Sequence, residues 1–427
     1  MQRRDFLALS VAGASTLPVP SNVARAAGPP SAQATTLDAF TEFVAAFMKK
    51  WQIPAGTAAV AKDGRLVYAR GFGYADIAKT QPTNSHHRFR IASSSKPVTA
   101  VAILRLVQDG KLQLDEPAFA RLSHLAAPPG KHEDPRLRTI TVRHLLEHSG
   151  GFDSTKTDPQ FDALRVAADA VGRPRPATPS DLIRYMMGQP LAFTPGTKYI
   201  YSNFGYNVLG RIIEQVSGVG YERHVKEQVL RPIGVHEMEV GRTKPTERLP
   251  REVQYWDDPL TPSYYSVYED DSLPRTYSYG GFSMEAIDAH GGWVARSVDL
   301  TRFLDAVGGA EGHQLLKAET VKRMLDRPQL AQYKTAKHYY ALGWDVTSGE
   351  LVMSHNGALT WGTATSIARL PNGITYALCF NRLGYDLVNF VSTLVRESAR
   401  ILSAVASWPE HNLYPSFGLE VSRQQNR

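Results

Sequence analysis

Apolar residues recur at two different spacings along this chain, and the two textures are unevenly distributed. Between Thr36 and Trp51, Leu37, Phe40, Phe43, Val44 and Phe47 fall three and four apart, the stripe of an amphipathic helix. Thr57–Ala61 and Leu66–Tyr68 are β-branched and apolar runs, and Lys62-Asp63-Gly64-Arg65 between them carries an Asp-Gly hairpin signal. Helical spacing returns over Pro97–Gln108 and stops at Gly110. From about Leu112 to Gly280 prolines and glycines break the pattern into short helical pieces: Thr141–Glu147, Pro179–Met187, Asn207–Val216 and Glu222–Leu230. A tyrosine-rich loop then runs from Tyr255 to Tyr279. Val294–Val307 reads as a helix, with Ser297 or Asp299 near its start. Leu342–Val346, Ala364–Leu370 and Thr375–Phe380 read as strands, the last two joined by Pro371-Asn372-Gly373, and Tyr385–Val405 reads as a closing helix.

Strands thus stand at both ends of the chain, and neither short set buries a face alone, so they must share one sheet. The expected fold class is α/β (α+β): an antiparallel sheet flanked by N- and C-terminal helices, with a mainly helical lobe inserted. The expected division is residues 27–110 with 290–427 as the α/β domain and 111–289 as the inserted region. A ligand site is expected in the crevice between them.

The first 26 residues follow a different rule. Arg3-Arg4-Asp5-Phe6-Leu7, an apolar stretch to Leu17 and small residues ending in Ala24-Arg25-Ala26 read as a cleavable export signal of the twin-arginine type. The expected location is therefore periplasmic or secreted. No other run approaches the ~18 apolar residues of a membrane span, so stable membrane insertion is not expected. In 427 residues, 43% hydrophobic and 21% charged, the composition is that of a folded globular protein. The net charge of +7 falls to about +5 without the first 26 residues and is dispersed, which gives no reason to expect nucleic acid. The single cysteine, Cys379, excludes an intrachain disulfide and sits in the apolar run Tyr376–Phe380, as a buried hydrophobe would.

The candidate chemistry begins at Ile91-Ala92-Ser93-Ser94-Ser95-Lys96-Pro97. Ser93 and Lys96 lie three apart at a helix start, so their side chains share one face. A serine hydroxyl needs a base to take its proton, and a lysine in a dry pocket has its pKa lowered enough to serve. Taken alone, Ser-x-x-Lys is more often a helix cap in a serine-rich turn. Two further segments change that balance: Tyr201-Ser202-Asn203, read as a loop ahead of the Asn207–Val216 helix, and His355-Asn356-Gly357, read as preceding a strand. A phenol shares protons with a lysine, an amide orients a carbonyl, and a glycine lets a substrate backbone approach a strand edge.

These three segments in this order resemble the serine β-lactamase and penicillin-recognising enzyme family, most closely its class C β-lactamase-like branch of esterases, D-aminopeptidases and D,D-carboxypeptidases. Phe89–Thr99 is similar to that family's active-site helix start, Leu145–Phe152 to the opening of its helical lobe, and Gly292–Leu304 to its later helix. The resemblance implies Ser93 as acylated nucleophile, Lys96 as proton acceptor and Tyr201 as proton shuttle. It implies an oxyanion hole from the backbone N–H groups of Ser93 and Ala358, and a substrate carbonyl held by Asn203. No metal or organic cofactor is implied. The substrates implied are small esters, amides or D-peptides, with esters the first expectation; the oligomeric state is left open. Penicillin-recognising members usually carry Lys-Thr-Gly where this chain has His355-Asn356-Gly357, and several esterase-like members carry His-x-Gly. A histidine there is expected to hydrogen-bond substrate and to become cationic only near pH 6.5, which speaks against strong β-lactamase activity. Arg382 offers a substitute charge or a solvated surface side chain.

Two rival classes remain. His144-Leu145-Leu146-Glu147-His148 fits the inverted zinc-hydrolase motif His-x-x-Glu-His, which needs both histidines on one helix face. A non-catalytic binding relative would keep the fold without the reaction. The Tyr255–Tyr279 stretch reads equally well as a substrate-lining loop or as a loop pinned to the core.

Overall fold

The structure, a computed structural model, describes residues 37–256, 264–268, 274–309, 314–349, 351–360 and 362–419; the expected export signal lies outside them. The chain runs through α1 (Leu37–Lys50), β1 (Ala55–Lys62), β2 (Arg65–Gly73), the two-residue β3 (Phe89–Arg90) and α2 (Lys96–Gln108). The middle is mostly helical, with α3 (Val142–Leu146), α4 (Pro159–Asp162), α5 (Leu164–Val171), α6 (Pro179–Met187), α7 (Asn203–Ser217) and α8 (Tyr221–Val225) ahead of the short β4 (Glu239–Val240). It returns through β5 (Trp293–Ala295), α9 (Ser297–Val307) and α10 (Ala318–Leu325) to β6 (His338–Tyr340), β7 (Asp345–Thr347), β8 (Leu351–Leu359), β9 (Thr363–Arg369) and β10 (Ile374–Phe380), and closes with α11 (Leu387–Ser403).

Seven strands form one sheet in the order β2-β1-β10-β9-β8-β7-β6, every pairing antiparallel. The seam between the two ends of the chain is β1 against β10, in register from Gly56–Phe380 to Lys62–Ile374. Both hairpin signals are used: Asp63 and Gly64 adopt positive φ between β1 and β2, and Asn372 and Gly373 do so between β9 and β10. Along β10 alternate side chains serve opposite faces. Ala377 and Cys379 join the core shared with α2, α9 and the helical region, whereas Tyr376, Leu378 and Phe380 join the layer of α1 and α11. Cys379 is fully buried and burial pushes its thiol up, as expected of an inert hydrophobe.

The strand read over Leu342–Val346 is found only from Asp345 to Thr347, and three boundaries beside the site also differ from the sequence reading. Val294 is not helical: Trp293–Ala295 pairs with Phe89–Arg90, and the helix starts only at Ser297, where Asp299 accepts the Arg296 N–H. The helix read from Asn207 starts at Asn203, because the Ser202 hydroxyl accepts the Gly205 N–H and caps it. His355-Asn356-Gly357 lies within β8 rather than before a strand. Apolar periodicity misses all three because each boundary is fixed by a polar cap or by strand pairing across the fold.

The terminal helices seal the outer face through a cluster of rings. Phe47 of α1 sits 4.8 Å from Phe390 of α11 and 5.9 Å from Phe380 of β10, centroid to centroid. Phe47→Ala is expected to destabilise the protein by about 3–5 kcal/mol in denaturant unfolding, while leaving the Ser93 region on the opposite face unaffected. A loss under about 1 kcal/mol would show that this layer does not hold the sheet.

Candidate active site

Ser93 lies on a 3-10 turn, Ala92–Ser95, that runs directly into α2. Ala92 has φ +48°, a conformation that costs energy for an alanine and persists only where the surroundings impose it. They do so from the sheet. Thr365 Oγ1 donates to Ile91 O at 2.9 Å and meets Ser94 Oγ at 2.8 Å, Thr363 Oγ1 donates to Arg90 O at 2.8 Å, and the Ile91 N–H reaches Trp293 O at 2.9 Å. From β8, Gly357 is pressed against the same turn. A Cβ there would stand 2.2 Å from Ile91 O and 2.4 Å from Thr365 Oγ1, so only glycine fits. Beyond Ser354, β8 pairs with β9 alone among the described residues, which leaves its other edge, including Ala358, unpaired.

Lys96 is fully buried, and its Nζ has three neighbours: Ser93 Oγ at 3.0 Å, Asn203 Oδ1 at 2.8 Å and the His290 carbonyl oxygen at 3.0 Å. The Asn203 amide is oriented by Asp158, whose Oδ2 accepts its N–H at 2.7 Å, so Oδ1 must face the lysine. As an ammonium, Lys96 donates to all three neighbours. As a neutral amine it has two N–H groups, which go to the two carbonyl oxygens because these only accept, and its lone pair is left facing Ser93 Oγ. Burial drives Lys96 toward that form, holding its pKa well below the ordinary lysine range against the opposing pull of Asp158. Tyr201 completes the group by donating its O–H to Ser93 Oγ at 2.9 Å, with Lys96 Nζ lying 4.8 Å from the centre of its ring.

The expected site residues therefore converge, with two changes. His355 is fully buried, and its Nδ1 lies 2.7 Å from the Asn356 carbonyl oxygen. A carbonyl only accepts, so Nδ1 carries the proton and Nε2 accepts from the Tyr340 hydroxyl at 3.0 Å. Burial, with the Lys96 charge adding to it, pushes its pKa down to about 3, so the expectation of a cation near pH 6.5 is corrected: both ring nitrogens are engaged by the protein and the ring is neutral. Asn203, expected to hold a substrate carbonyl, has Oδ1 and one N–H already committed and keeps a single N–H for that task. Asn356 Oδ1 is buried without a partner.

The zinc reading fails on geometry. α3 ends at Leu146 and His148 has φ +56°, so the two histidines do not share a helix face. His144 turns back to cap its own helix, its Nδ1 accepting the Thr141 N–H. His148 instead brackets Tyr201: its carbonyl accepts the Ile200 N–H at 3.0 Å, its Nδ1 accepts the Ser202 N–H at 3.2 Å, and its ring lies 4.3 Å from the Tyr201 ring. Arg382 contacts Gln52 O and the Tyr385 hydroxyl. In the tyrosine-rich stretch, Tyr255 and Tyr279 are pinned around the buried Arg90 at 4.5 and 5.3 Å, and Tyr277 is buried beside Phe282; Tyr255 and Tyr277 are core residues and Tyr279 is half-buried against the core, while 257–263 and 269–273 fall outside the described residues. Sequence reasoning missed Asp158, His290, Thr365 and Tyr340, whose contributions come from folding and have no spacing signature.

A family model described as Beta-lactamase matches residues 40–399. The chain belongs to the beta-lactamase family. Its mixed α/β fold, with the seven-stranded antiparallel sheet, is that of beta-lactamases and penicillin-binding proteins. It is 30% identical over 235 residues to the putative penicillin-binding protein PbpX of Bacillus subtilis (strain 168), covering 55% of this chain and 53% of the relative. It is also 30% identical over 187 residues to protein flp of Staphylococcus aureus (strain MW2), covering 44% and 34%. The chain thus spans about half or a third of the length of these curated relatives. Among solved structures, the octameric penicillin-binding protein homologue from Pyrococcus abyssi is similar at 25% identity and TM-score 0.64, covering 85% of this chain and 77% of that one. The D-amino acid amidase from Ochrobactrum anthropi SV3, complexed with L-phenylalanine amide, shares the fold at 23% identity and TM-score 0.65, with 86% and 97% covered.

The neutral state of His355 gives a direct expectation. His148 and His290 are also fully buried and held well below the ordinary histidine range, first by burial and then by the Lys96 charge. In carbon-detected NMR of the folded protein, none of His148, His290 and His355 should titrate between pH 5 and 8. Because the unfolded chain protonates each near 6.5, these three withdraw stability as pH falls below that value. A midpoint near 6.5 for His355 would contradict the assignment of its two ring partners.

Proposed function

We propose that this protein is a serine hydrolase that turns over through an acyl-enzyme on Ser93, with small esters as its substrates. The observation that carries this reading is the arrangement around Lys96, whose Nζ lies 2.8 and 3.0 Å from two carbonyl oxygens that only accept and 3.0 Å from Ser93 Oγ, so that on losing a proton it turns its lone pair to the nucleophile. In acylation, Ser93 Oγ bonds to the substrate carbonyl carbon while its proton passes to Lys96 Nζ. The backbone N–H groups of Ser93 and Ala358 receive the oxyanion, and the Tyr201 hydroxyl, beside Oγ, delivers a proton to the leaving group. In deacylation water bonds to the acyl carbon and gives a proton to Tyr201, the bond from that carbon to Ser93 Oγ breaks, and Oγ takes back a proton from Lys96, the two groups acting as a coupled pair. No metal or organic cofactor takes part. Export across the bacterial inner membrane, read from Arg3 and Arg4, places the reaction in the periplasm or outside the cell.

The neutral, engaged His355 supports esters over carboxylate-bearing β-lactams, because a carboxylate would find no permanent charge at that position. A second reading, cleavage of D-amino-acid amides, is favoured by the fold likeness to the Ochrobactrum amidase.

The test is intact-mass spectrometry after brief exposure to p-nitrophenyl esters, to D- and L-phenylalanine amide and to a penicillin, with the adduct mapped by peptide digest. An ester-derived acyl group on Ser93, absent in Ser93→Ala, is expected, and turnover by Ser93→Ala would contradict it. Tyr201→Phe, which removes only the hydroxyl beside Oγ, is expected to lower kcat by about 100-fold or more.

A further inference from the structure

Lys96 does not stand alone in its pocket. Asn203 links it to a second buried ionisable group, Asp158, through two short hydrogen bonds: Lys96 Nζ to Asn203 Oδ1 at 2.8 Å and Asn203 Nδ2 to Asp158 Oδ2 at 2.7 Å. Asp158 begins α4 and is 7% exposed, and its other oxygen, Oδ1, is buried with no hydrogen-bond partner. A carboxyl group left half satisfied in the interior costs folding free energy. The nearby group that becomes a cation on taking a proton is Lys96. An amide bridge of this kind fixes which way Asn203 points, and it aligns the amide dipole with its oxygen toward the lysine and its N–H toward the carboxylate.

The geometry points to Asp158 as a positioning residue for Ser93 acylation: through the Asn203 amide it orients Lys96 and supplies the counter-charge for the ammonium that forms when Lys96 takes the Ser93 proton. The proposal rests on the acyl-enzyme reading of Ser93. No additional reactant is involved. The Ser93 O–H bond and the bond from the acyl carbon to the leaving group break, the Lys96 N–H and Ser93 Oγ–acyl bonds form, the leaving group takes the Tyr201 proton, and Asp158 exchanges no proton in that step. Burial, with Asp162 adding to it, raises the Asp158 carboxyl to about 7, while the Asn203 hydrogen bond and the Lys96 charge pull the other way.

The charged groups around this pair are few. Asp162, on the same short helix, accepts the Asp158 N–H at 3.0 Å. From the elements packed on α4, Asp181 of α6 is tied to the Thr178 cap, Arg211 of α7 pairs with Glu214 and Asp288, and Asp169 of α5 pairs with Arg175. Arg165 and Arg184, on α5 and α6, complete the charges there. Around Lys96 the titratable neighbours are His148, His290 and His355, all held well below the ordinary histidine range, together with the phenols of Tyr201 and Tyr206, whose rings lie 4.8 and 5.7 Å from Nζ.

The experiment is the pH profile of the acylation burst with p-nitrophenyl acetate in Asp158→Asn, which keeps an oxygen for the Asn203 N–H and removes the charge. Without the carboxylate the Lys96 ammonium is less favoured. The acid limb is expected to move to lower pH by about half a unit or more and the plateau to fall by about tenfold, since a weaker base accepts the proton less readily. A lowered plateau with an unmoved acid limb would mean a purely structural role and would overturn the proposal, as would an unchanged profile. The acyl adduct on Ser93 is read in the same samples, so failure here is distinguishable from failure of the nucleophile assignment. Should Asp158→Asn not fold, carbon-13 titration of the Asp158 carboxyl in the otherwise unaltered protein and in Lys96→Ala gives the reciprocal reading. Its midpoint is expected to rise on loss of the Lys96 cation, and an unmoved midpoint would overturn the proposal.

Discussion

The site is governed by a limit on hydrogen-bond donors. A neutral lysine amine offers two N–H groups and one lone pair, and in the fully buried pocket of Lys96 two carbonyl oxygens claim the former. Ser93 Oγ is the partner left for the lone pair. The side-chain amide of Asn203 and the placement of the His290 backbone carbonyl therefore matter as much as the distance between Ser93 and Lys96. Burial enforces the arrangement by withdrawing the water that would otherwise stabilise the ammonium.

The sheet exists, for this purpose, to hold a strained turn. Ala92 is kept at positive φ by hydrogen bonds from Thr363 and Thr365 of β9 to its neighbours and by the close approach of Gly357 of β8. Those strands are in turn fixed by β10, which is paired on its other side with β1 near the N-terminal end. The layer of α1 and α11 is remote from the chemistry but covers the face on which that seam would otherwise meet water. Continuous packing thus connects the two ends of the chain to one dihedral angle beside the nucleophile.

Much of this was legible in the sequence where short-range rules apply. Apolar stripes located α1, α2, α6 and α11, Asp63-Gly64 and Asn372-Gly373 located both hairpins, and three short motifs brought Ser93, Lys96, Tyr201, Asn203 and Gly357 under suspicion before any geometry. What escaped depends on contacts between distant segments. Trp293–Ala295 is apolar enough for a helix and becomes a strand only because Phe89–Arg90 lies alongside. His355 looked like a pH-sensitive substrate contact because a histidine's ordinary pKa was the available guide; Tyr340 and burial, neither visible locally, remove that property. His148 looked like half of a metal pair until its positive φ turned it onto Tyr201. Asp158 and the His290 carbonyl carried no local signal, since an aspartate before a proline reads as a helix start and a backbone oxygen has no sequence signature.

The most direct measurement of the lysine's state is the titration of Lys96 itself, by carbon-13 NMR of the folded enzyme labelled at lysine Cε and assigned with Lys96→Arg. A midpoint well below the ordinary value of 10.5 is predicted, with the other lysines titrating in their usual range. A Lys96 midpoint at or above 10.5 would contradict the claim that a buried amine, its donors committed elsewhere, accepts the proton of Ser93.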